Sequence, residues 1–125
     1  MPHGLILFGH GARDPRWAEP FETVAAEVRA LSPSVKVQLA YLEFMTPTLP
    51  EAGDMLAAAG CDHVAVQPMF LGTGGHVRRD LPLLLDALRQ RHPSITWTLH
   101  IAIGETGPVM QAMATVAAST VRSPP

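Results

Sequence analysis

The chain has 125 residues, of which 47% are hydrophobic and 16% charged, with a formal net charge of −2. This length fits a single domain, and this composition excludes general disorder. Without a basic tract, neither nucleic acid nor an anionic membrane is expected as a main partner. The low share of charged residues indicates that part of the surface is covered, most commonly in a homodimer.

The cysteine content and the absence of a leader pattern predict a cytoplasmic protein. Cys61 is the single cysteine, which excludes an intramolecular disulfide and favours a reducing compartment. The first residues do not show the basic and apolar pattern of a signal peptide. No apolar run approaches the roughly 20 residues that a membrane-spanning helix needs.

The first half of the chain reads as two strand-helix units. Residues 5–8 form a short apolar run between glycines, which is typical of a buried parallel strand. Asp14 before Pro15 predicts a helix N-cap, with the helix ending at about residue 31. The alternating segment 35–42 predicts a second strand. Thr46-Pro47 repeats the cap-and-proline pattern and predicts a second helix to about residue 59.

The second half repeats this order, and the whole pattern predicts an α/β fold. The remaining predicted elements are a third strand at 63–70, a glycine-rich loop at 71–76, a third helix at 77–91, a fourth strand at 95–103 and a fourth helix at 109–121. Four such units predict a four-stranded parallel sheet in a three-layer α/β/α, flavodoxin-like arrangement. We expect one domain at residues 1–121 and a loose tail at 122–125.

The order of elements divides the histidines between the two edges of the sheet. His10 follows the first strand and His76 the third, so both lie at the carboxyl edge, where α/β sheets bind ligands. Glu43 follows the second strand and reaches the same edge. The other histidines are expected at the amino edge or inside a strand, and are His3, His63, His92 and His100.

Two histidines and a carboxylate form a chemically coherent set at this edge. Neutral imidazoles suit divalent ions such as Co²⁺ and Fe²⁺, and a carboxylate is either a further ligand or a proton acceptor. Arginine binds carboxylates and phosphates well, and three arginines lie close in sequence to the two histidines. They are Arg13, Arg78 and Arg79.

Each of these features also has a plainer interpretation. A histidine after a glycine is often only a polar loop residue, and Glu43 is equally compatible with an exposed strand end or a partner for Arg13. The glycines at 72–75, which include Gly74 and Gly75, are similar to a phosphate-binding loop but lack the spacing and lysine of a P-loop. They are equally compatible with a tight turn into the third helix.

Three motifs nevertheless carry a specific resemblance. The stretches LFGHGARDP from Leu7, YLEFMTPTLP from Tyr41 and QPMFLGTGGHVRRDLP from Gln67 resemble the short, single-domain form of the CbiX-type sirohydrochlorin chelatases. Members of this family are lyases that insert cobalt or iron into the tetrapyrrole sirohydrochlorin, in pathways to cobalamin or to sirohaem and haem d1.

The resemblance implies roles for individual residues. His10 and His76 correspond to the metal-site histidines of the family, and Glu43 to the acidic residue after its second strand. Arg13, Arg78 and Arg79, with the backbone at Gly74 and Gly75, are then expected to bind the acidic substrate. The resemblance therefore implies that the catalytic residues are His10, Glu43 and His76.

The resemblance also implies how the protein works as a whole. Short forms are implied to be homodimers, because larger relatives contain two such domains facing one cleft. No permanently bound cofactor is expected, since Co²⁺ or Fe²⁺ is a substrate, and no nucleotide motif suggests a need for ATP.

The sequence departs from the family in three places, and two other functions stay open. Ala12 replaces the serine of the usual His-Gly-Ser-Arg motif, a His-rich stretch is missing, and the loop at 104–108 matches only loosely. A metal or tetrapyrrole carrier without catalysis is one alternative. A histidine-phosphatase-like enzyme is the other, although Gly9 stands where that class has an arginine before its histidine.

Overall fold

A computed structural model describes residues 2–122, with the side chain of His76 outside the described part. The strands are β1 (His3–Gly9), β2 (Lys36–Tyr41), β3 (His63–Pro68) and β4 (Thr96–Leu99). The helices are α1 (Glu19–Leu31), α2 (Leu49–Ala58), α3 (Gly75–Arg91) and α4 (Gly107–Arg122). All strands pair in parallel in the order β2-β1-β3-β4, which confirms the predicted α/β fold.

The two faces of the sheet are covered unequally. On one face, α2 and α3 pack over a large core that includes Ile6, Phe8, Val66, Leu85 and Trp97. On the other face, α1 covers a smaller core in which the buried residues are Leu7, Ala25 and Val37. The burial of apolar side chains on both faces is the main force that holds the layers together.

The starts of the first two helices show one correct and one wrong prediction. The Asp14 side chain accepts a hydrogen bond from the Arg16 N–H, as predicted, although the chain first forms a 3-10 turn at Pro15–Ala18. The prediction that Thr46-Pro47 opens the second helix is wrong. Thr48 is the N-cap of α2, because its hydroxyl and Glu51 form a reciprocal capping box.

The fourth strand is shorter than predicted. β4 ends at Leu99 rather than near residue 103, because Pro68 at the end of β3 lacks the N–H that would continue the ladder. The side-chain amide of Gln67 instead donates to the carbonyl of Ile101, at 2.9 Å. The chain then leaves the sheet, forms a 3-10 turn at Ile103–Glu105 and enters α4.

The last helix is the least buried element. Among residues 2–122, α4 contains no buried residue, and its main packing contact is with the 3-10 turn Ile103–Glu105. Arg122, which we predicted to begin the tail, is the last residue of α4, and the rest of that segment lies outside the described residues. No helix in the described part of the chain is long and apolar enough to cross a membrane.

Candidate active site

The β1–β2 pairing continues past both strand ends and brings His10 next to Glu43. The Leu42 N–H donates to the Gly9 carbonyl at 2.9 Å, and the Glu43 N–H donates to the His10 carbonyl at 3.0 Å. Both His10 and Glu43 are exposed. The imidazole and the carboxylate therefore lie at the same edge, on adjacent backbone segments open to solvent.

Gly11 makes this close approach possible. Its φ is +87°, and a Cβ at this position would lie 1.8 Å from the Glu43 carbonyl oxygen. Only glycine combines this backbone conformation with so little space. Gly9, by contrast, is a strand residue that packs beneath Trp17, so of the two flanking glycines Gly11 forms the turn.

The His10 ring is supported by an aromatic neighbour. Its centroid lies 4.3 Å from that of Phe70, with an angle of 35° between the planes. Phe70 is buried at the end of the segment that follows β3. A ring held on one side by a buried aromatic has fewer positions to sample, so its nitrogens are better oriented toward a ligand.

Arg13 lies on the β2 side of the edge. Its guanidinium carbon is 4.9 Å from the centroid of the Phe44 ring, within cation–π distance. Phe44 has φ +67°, an unusual conformation for an aromatic residue, and its side chain is exposed. Unusual backbone conformations of this kind concentrate at binding and catalytic sites.

The start of α3 provides open backbone rather than a tight turn. Gly74 is its N-cap with φ −69°, and α3 begins two residues earlier than predicted, at Gly75. A Cβ on Gly72, Gly74 or Gly75 would meet no described atom within 4 Å. No described side chain caps this helix, so the N–H groups of its first turn are available to an anionic ligand.

His76 is the second residue of α3, so its backbone lies at this edge. The position and contacts of its side chain fall outside the described part of the structure. Its predicted role as a metal ligand therefore stays a prediction.

A hydrogen-bonded group on the β4 side contains Arg78. Arg78 Nη2 donates to Thr73 Oγ1 at 3.4 Å, while the Thr73 N–H and hydroxyl donate to Glu105 Oε1 at 3.2 and 3.1 Å. Gly104 allows the two loops to meet, because a Cβ there would lie 2.2 Å from the Leu71 carbonyl oxygen. Glu105 thus holds the Thr73 loop in place.

The third arginine, Arg79, directly follows the first turn of α3. Arg79 is exposed, and its Nε donates to the Gly75 carbonyl at 3.3 Å. The helix dipole opposes cations near the N-terminus of a helix, and an anionic ligand at this end of α3 would offset that repulsion.

Two open grooves flank the edge. One, of about 430 Å³, lies between the start of α3 and the end of β4, and Arg78, His100 and Glu105 are among its lining residues. The other, of about 370 Å³, is lined in part by Arg13 and Phe44. Each groove thus contains one of the predicted cationic residues, and His10 and Glu43 follow β1 and β2 at the same edge of the sheet.

Two groups near the groove that contains Arg13 have shifted pKa values. Burial, together with the nearby Glu22 carboxylate, raises the pKa of Tyr41, so its phenol stays protonated at neutral pH. Hydrogen bonds from Arg16 lower the pKa of Asp14, which therefore remains an ionised helix cap.

Sequence reasoning missed three residues that shape this site, namely Phe44, Phe70 and Glu105. The signal for Phe70 was an aromatic residue at the predicted end of the third strand. The loop containing Glu105 matched the family only loosely, so no site residue was assigned there, and a contact over 32 positions of sequence has no local signature.

Comparison with known proteins identifies the class to which this fold and edge belong. The CbiX family model matches residues 4–120, nearly the whole chain. The chain therefore belongs to the CbiX family, as the three motifs indicated.

Curated relatives agree with this family. A sirohydrochlorin cobaltochelatase from Methanopyrus kandleri is 35% identical over 81 residues, which cover 65% of this chain and 57% of the relative. One from Saccharolobus solfataricus is 40% identical over 82 residues, covering 66% of this chain and 62% of the relative. The match thus spans about 60% of the length of these relatives.

Solved structures confirm the fold. A CbiX protein of Marinobacter aquaeolei VT8 has a TM-score of 0.84 and 31% identity, covering 98% of this chain and 100% of that chain. The sirohydrochlorin chelatase SirB of Bacillus subtilis subspecies spizizenii, solved with cobalt, has a TM-score of 0.81 and 24% identity. This chain covers 51% of that SirB chain, with 95% of its own residues matched.

Proposed function

We propose that this protein is a lyase that inserts Co²⁺ or Fe²⁺ into sirohydrochlorin, in a pathway to cobalamin or to sirohaem and haem d1. The observation that carries the proposal is the pairing of His10 and Glu43 at the carboxyl edge, where two grooves contain Arg13 and Arg78. Membership of the CbiX family supports it. We place the reaction in the cytoplasm, where a lone cysteine stays reduced.

The proposed binding mode follows from the charges at the edge. The acidic side chains at the periphery of the tetrapyrrole would pair with Arg13, Arg78 and Arg79. The uncapped N–H groups near Gly74 and Gly75 would donate hydrogen bonds to a further carboxylate. With the periphery held, the centre of the macrocycle lies over His10 and Glu43.

The proposed reaction exchanges one divalent ion for two protons. The two pyrrole N–H groups of the macrocycle are lost as the metal binds its four nitrogens, so the products are the metallated tetrapyrrole and two H⁺. His10 and His76 hold the incoming ion or accept these protons, and Glu43 assists one of these tasks. Because Phe70 packs against the His10 ring, it would hold the ring nitrogens in a fixed orientation toward either the metal or the proton.

The test is metal insertion by the purified protein under anaerobic conditions, followed by the absorbance change of the tetrapyrrole. We expect Co²⁺ insertion to be much faster with protein than in buffer containing the same reactants. Binding of sirohydrochlorin without a faster insertion would instead show a carrier. Release of phosphate from a model ester, without insertion, would favour the phosphatase alternative.

The homodimer belongs to the same proposal, and α4 supports it. Met110, Met113 and Val116 on α4 are between 39% and 66% exposed, a large apolar surface for a single helix. The sheet face at Ala65 and Gln67 is only partly covered, because α1 lies over the β1–β2 half. We propose that α4 packs against a second copy of this chain.

The oligomeric state tests this interface directly. We expect the wild type to elute as a dimer in size-exclusion chromatography with light scattering, and Val116→Glu to elute as a monomer. Gln111→Glu is the matched control on the polar side of α4 and should remain dimeric. A monomeric wild type would contradict the proposed dimer without affecting the evidence for insertion at His10.

A further inference from the structure

A second group of metal-binding side chains lies at the opposite edge of the sheet. His3 and His63 are the first residues of β1 and β3, and they are direct partners in the register of these adjacent strands. Their rings stack with centroids 5.1 Å apart and planes 22° from parallel. Asp62, immediately before His63, places a carboxylate beside the two imidazoles.

The donor atoms of this group are close enough to share one ion. His3, Asp62 and His63 each offer one nitrogen or oxygen, and these atoms all lie within 4.8 Å of one another. Two ligands on one Zn²⁺-sized ion are roughly 3–3.5 Å apart. Small rotations of the two histidine side chains, which are exposed, would close the remaining gap.

The carboxylate has unused binding capacity. Asp62 Oδ1 is buried from solvent and lies 3.2 Å from His63 Nδ1, within ion-pair distance, but this contact lacks the geometry of a good hydrogen bond. A buried carboxylate oxygen without a hydrogen bond is costly, and a cation between the carboxylate and the two rings would satisfy it.

The ordinary alternative is a structural ion pair, and the chain provides an example for comparison. His92 Nε2 lies 2.7 Å from Asp54 Oδ1, and the same carboxylate accepts two hydrogen bonds from Arg91 at 2.6 Å. That carboxylate is fully engaged by cationic groups. Asp62 instead faces two stacked imidazoles, whose nitrogens are the ligands that borderline divalent ions prefer.

We propose that His3, Asp62 and His63 form a second metal site at the amino edge, which binds a divalent ion such as Zn²⁺, Co²⁺ or Ni²⁺. The nitrogen-rich donor set disfavours Ca²⁺ and Mg²⁺, which prefer oxygen ligands. Three protein ligands leave at least one position for water, so the bound ion exchanges with solvent. The length of β1 separates this site from His10 by roughly 20 Å.

Binding of an ion here has a structural consequence. The ion would cross-link the first residues of β1 and β3 and thus stabilise the pairing at the start of these two central strands. Because the site forms only in the folded chain, the ion raises the free energy of unfolding by mass action. The site therefore has a readout that is independent of any reaction with sirohydrochlorin.

The experiment uses the tag-free full chain carrying His10→Ala and His76→Ala, which removes the proposed carboxyl-edge ligands. Calorimetric titration with Zn²⁺ or Co²⁺ measures the ion binding that remains in this variant, and thermal unfolding measures its effect on stability. We expect about one equivalent per chain and a higher Tm with the ion present. His63→Gln or His3→Gln added to this background should weaken binding at least about tenfold.

His92→Gln in the same background is the matched control, because it alters a histidine that also contacts an aspartate. It should bind the ion as the background does. Absence of the bound equivalent, or binding that both His3→Gln and His63→Gln leave unchanged, would overturn the proposal. Since the background lacks the insertion residues, neither result bears on the proposed function.

Discussion

The two edges of the sheet have similar ligands and very different surroundings. The carboxyl edge provides His10, Glu43 and the backbone of His76, whereas the amino edge provides His3, Asp62 and His63. The carboxyl edge also has arginines, exposed aromatic surface and open helix N–H groups in and around two grooves. Metal-binding residues alone thus do not define a chelatase site. The arginines and the exposed aromatic side chain, which would suit the large acidic macrocycle of the proposed reaction, distinguish the carboxyl edge.

The largest effect on stability is expected at Gly11, in the turn that brings His10 and Glu43 together at the carboxyl edge. Gly11→Ala would force a Cβ into the Glu43 carbonyl at a positive φ, and should lower the free energy of unfolding by about 2–4 kcal/mol. Thermal unfolding should show a Tm lower by roughly 10 °C. Gly75→Ala, where a Cβ meets open space, should change the free energy of unfolding by less than about 0.5 kcal/mol. Equal Tm values for the two variants would contradict this account of the turn.

A smaller effect is expected where Glu105 holds the Thr73 loop. Glu105→Ala removes the acceptor of two hydrogen bonds, so Arg78 loses its fixed neighbour. We expect kcat/KM for insertion to fall by up to about thirtyfold, mainly through KM, since two such bonds contribute about 1 kcal/mol each. Glu105→Gln keeps an acceptor oxygen and should recover part of the loss. A fall in kcat with KM unchanged would instead indicate a role in the reaction itself.

The smallest effect is expected at the structural ion pair of Asp54. Hydrogen bonds from Arg91 and His92 lower the pKa of Asp54 to about 2. A carboxyl whose pKa is lower in the folded state stabilises it above the unfolded pKa of about 3.8, and this stabilisation is lost as the pH falls toward 2. Asp54→Asn should therefore lower Tm slightly at pH 7, because the pair is exposed, and the difference should shrink below pH 4. A difference that grows on acidification would contradict the assignment.

The sheet was predictable because its signals are local. An apolar run between glycines predicted β1 and an alternating pattern predicted β2, and the order of strands and helices determined which edge received His10, Glu43 and His76. Helix starts were harder to predict, since Thr46-Pro47 and Thr48 offer competing signals and only the capping box with Glu51 decides between them. The length of β4 depended on its edge position and on Pro68 in the neighbouring strand, which its own sequence does not reveal.

The composition of the site was less predictable than its position. The β1–β2 pairing explains why His10 and Glu43 meet, and this follows from topology. The stacking of His10 on Phe70 and the hold of Glu105 on Thr73 depend on side-chain geometry between distant segments. Sequence alone places residues on an edge, whereas packing decides which of them touch.

The insertion rate of His10→Ala is the most direct test of the central claim that the carboxyl edge carries the reaction. At saturating sirohydrochlorin and Co²⁺, we predict a rate at least about 100-fold below wild type. Sirohydrochlorin binding, measured on the same samples, should be largely retained. His92→Gln, on the opposite side of the domain, should insert at the wild-type rate. A His10→Ala protein that inserts cobalt as fast as the wild type would contradict the claim.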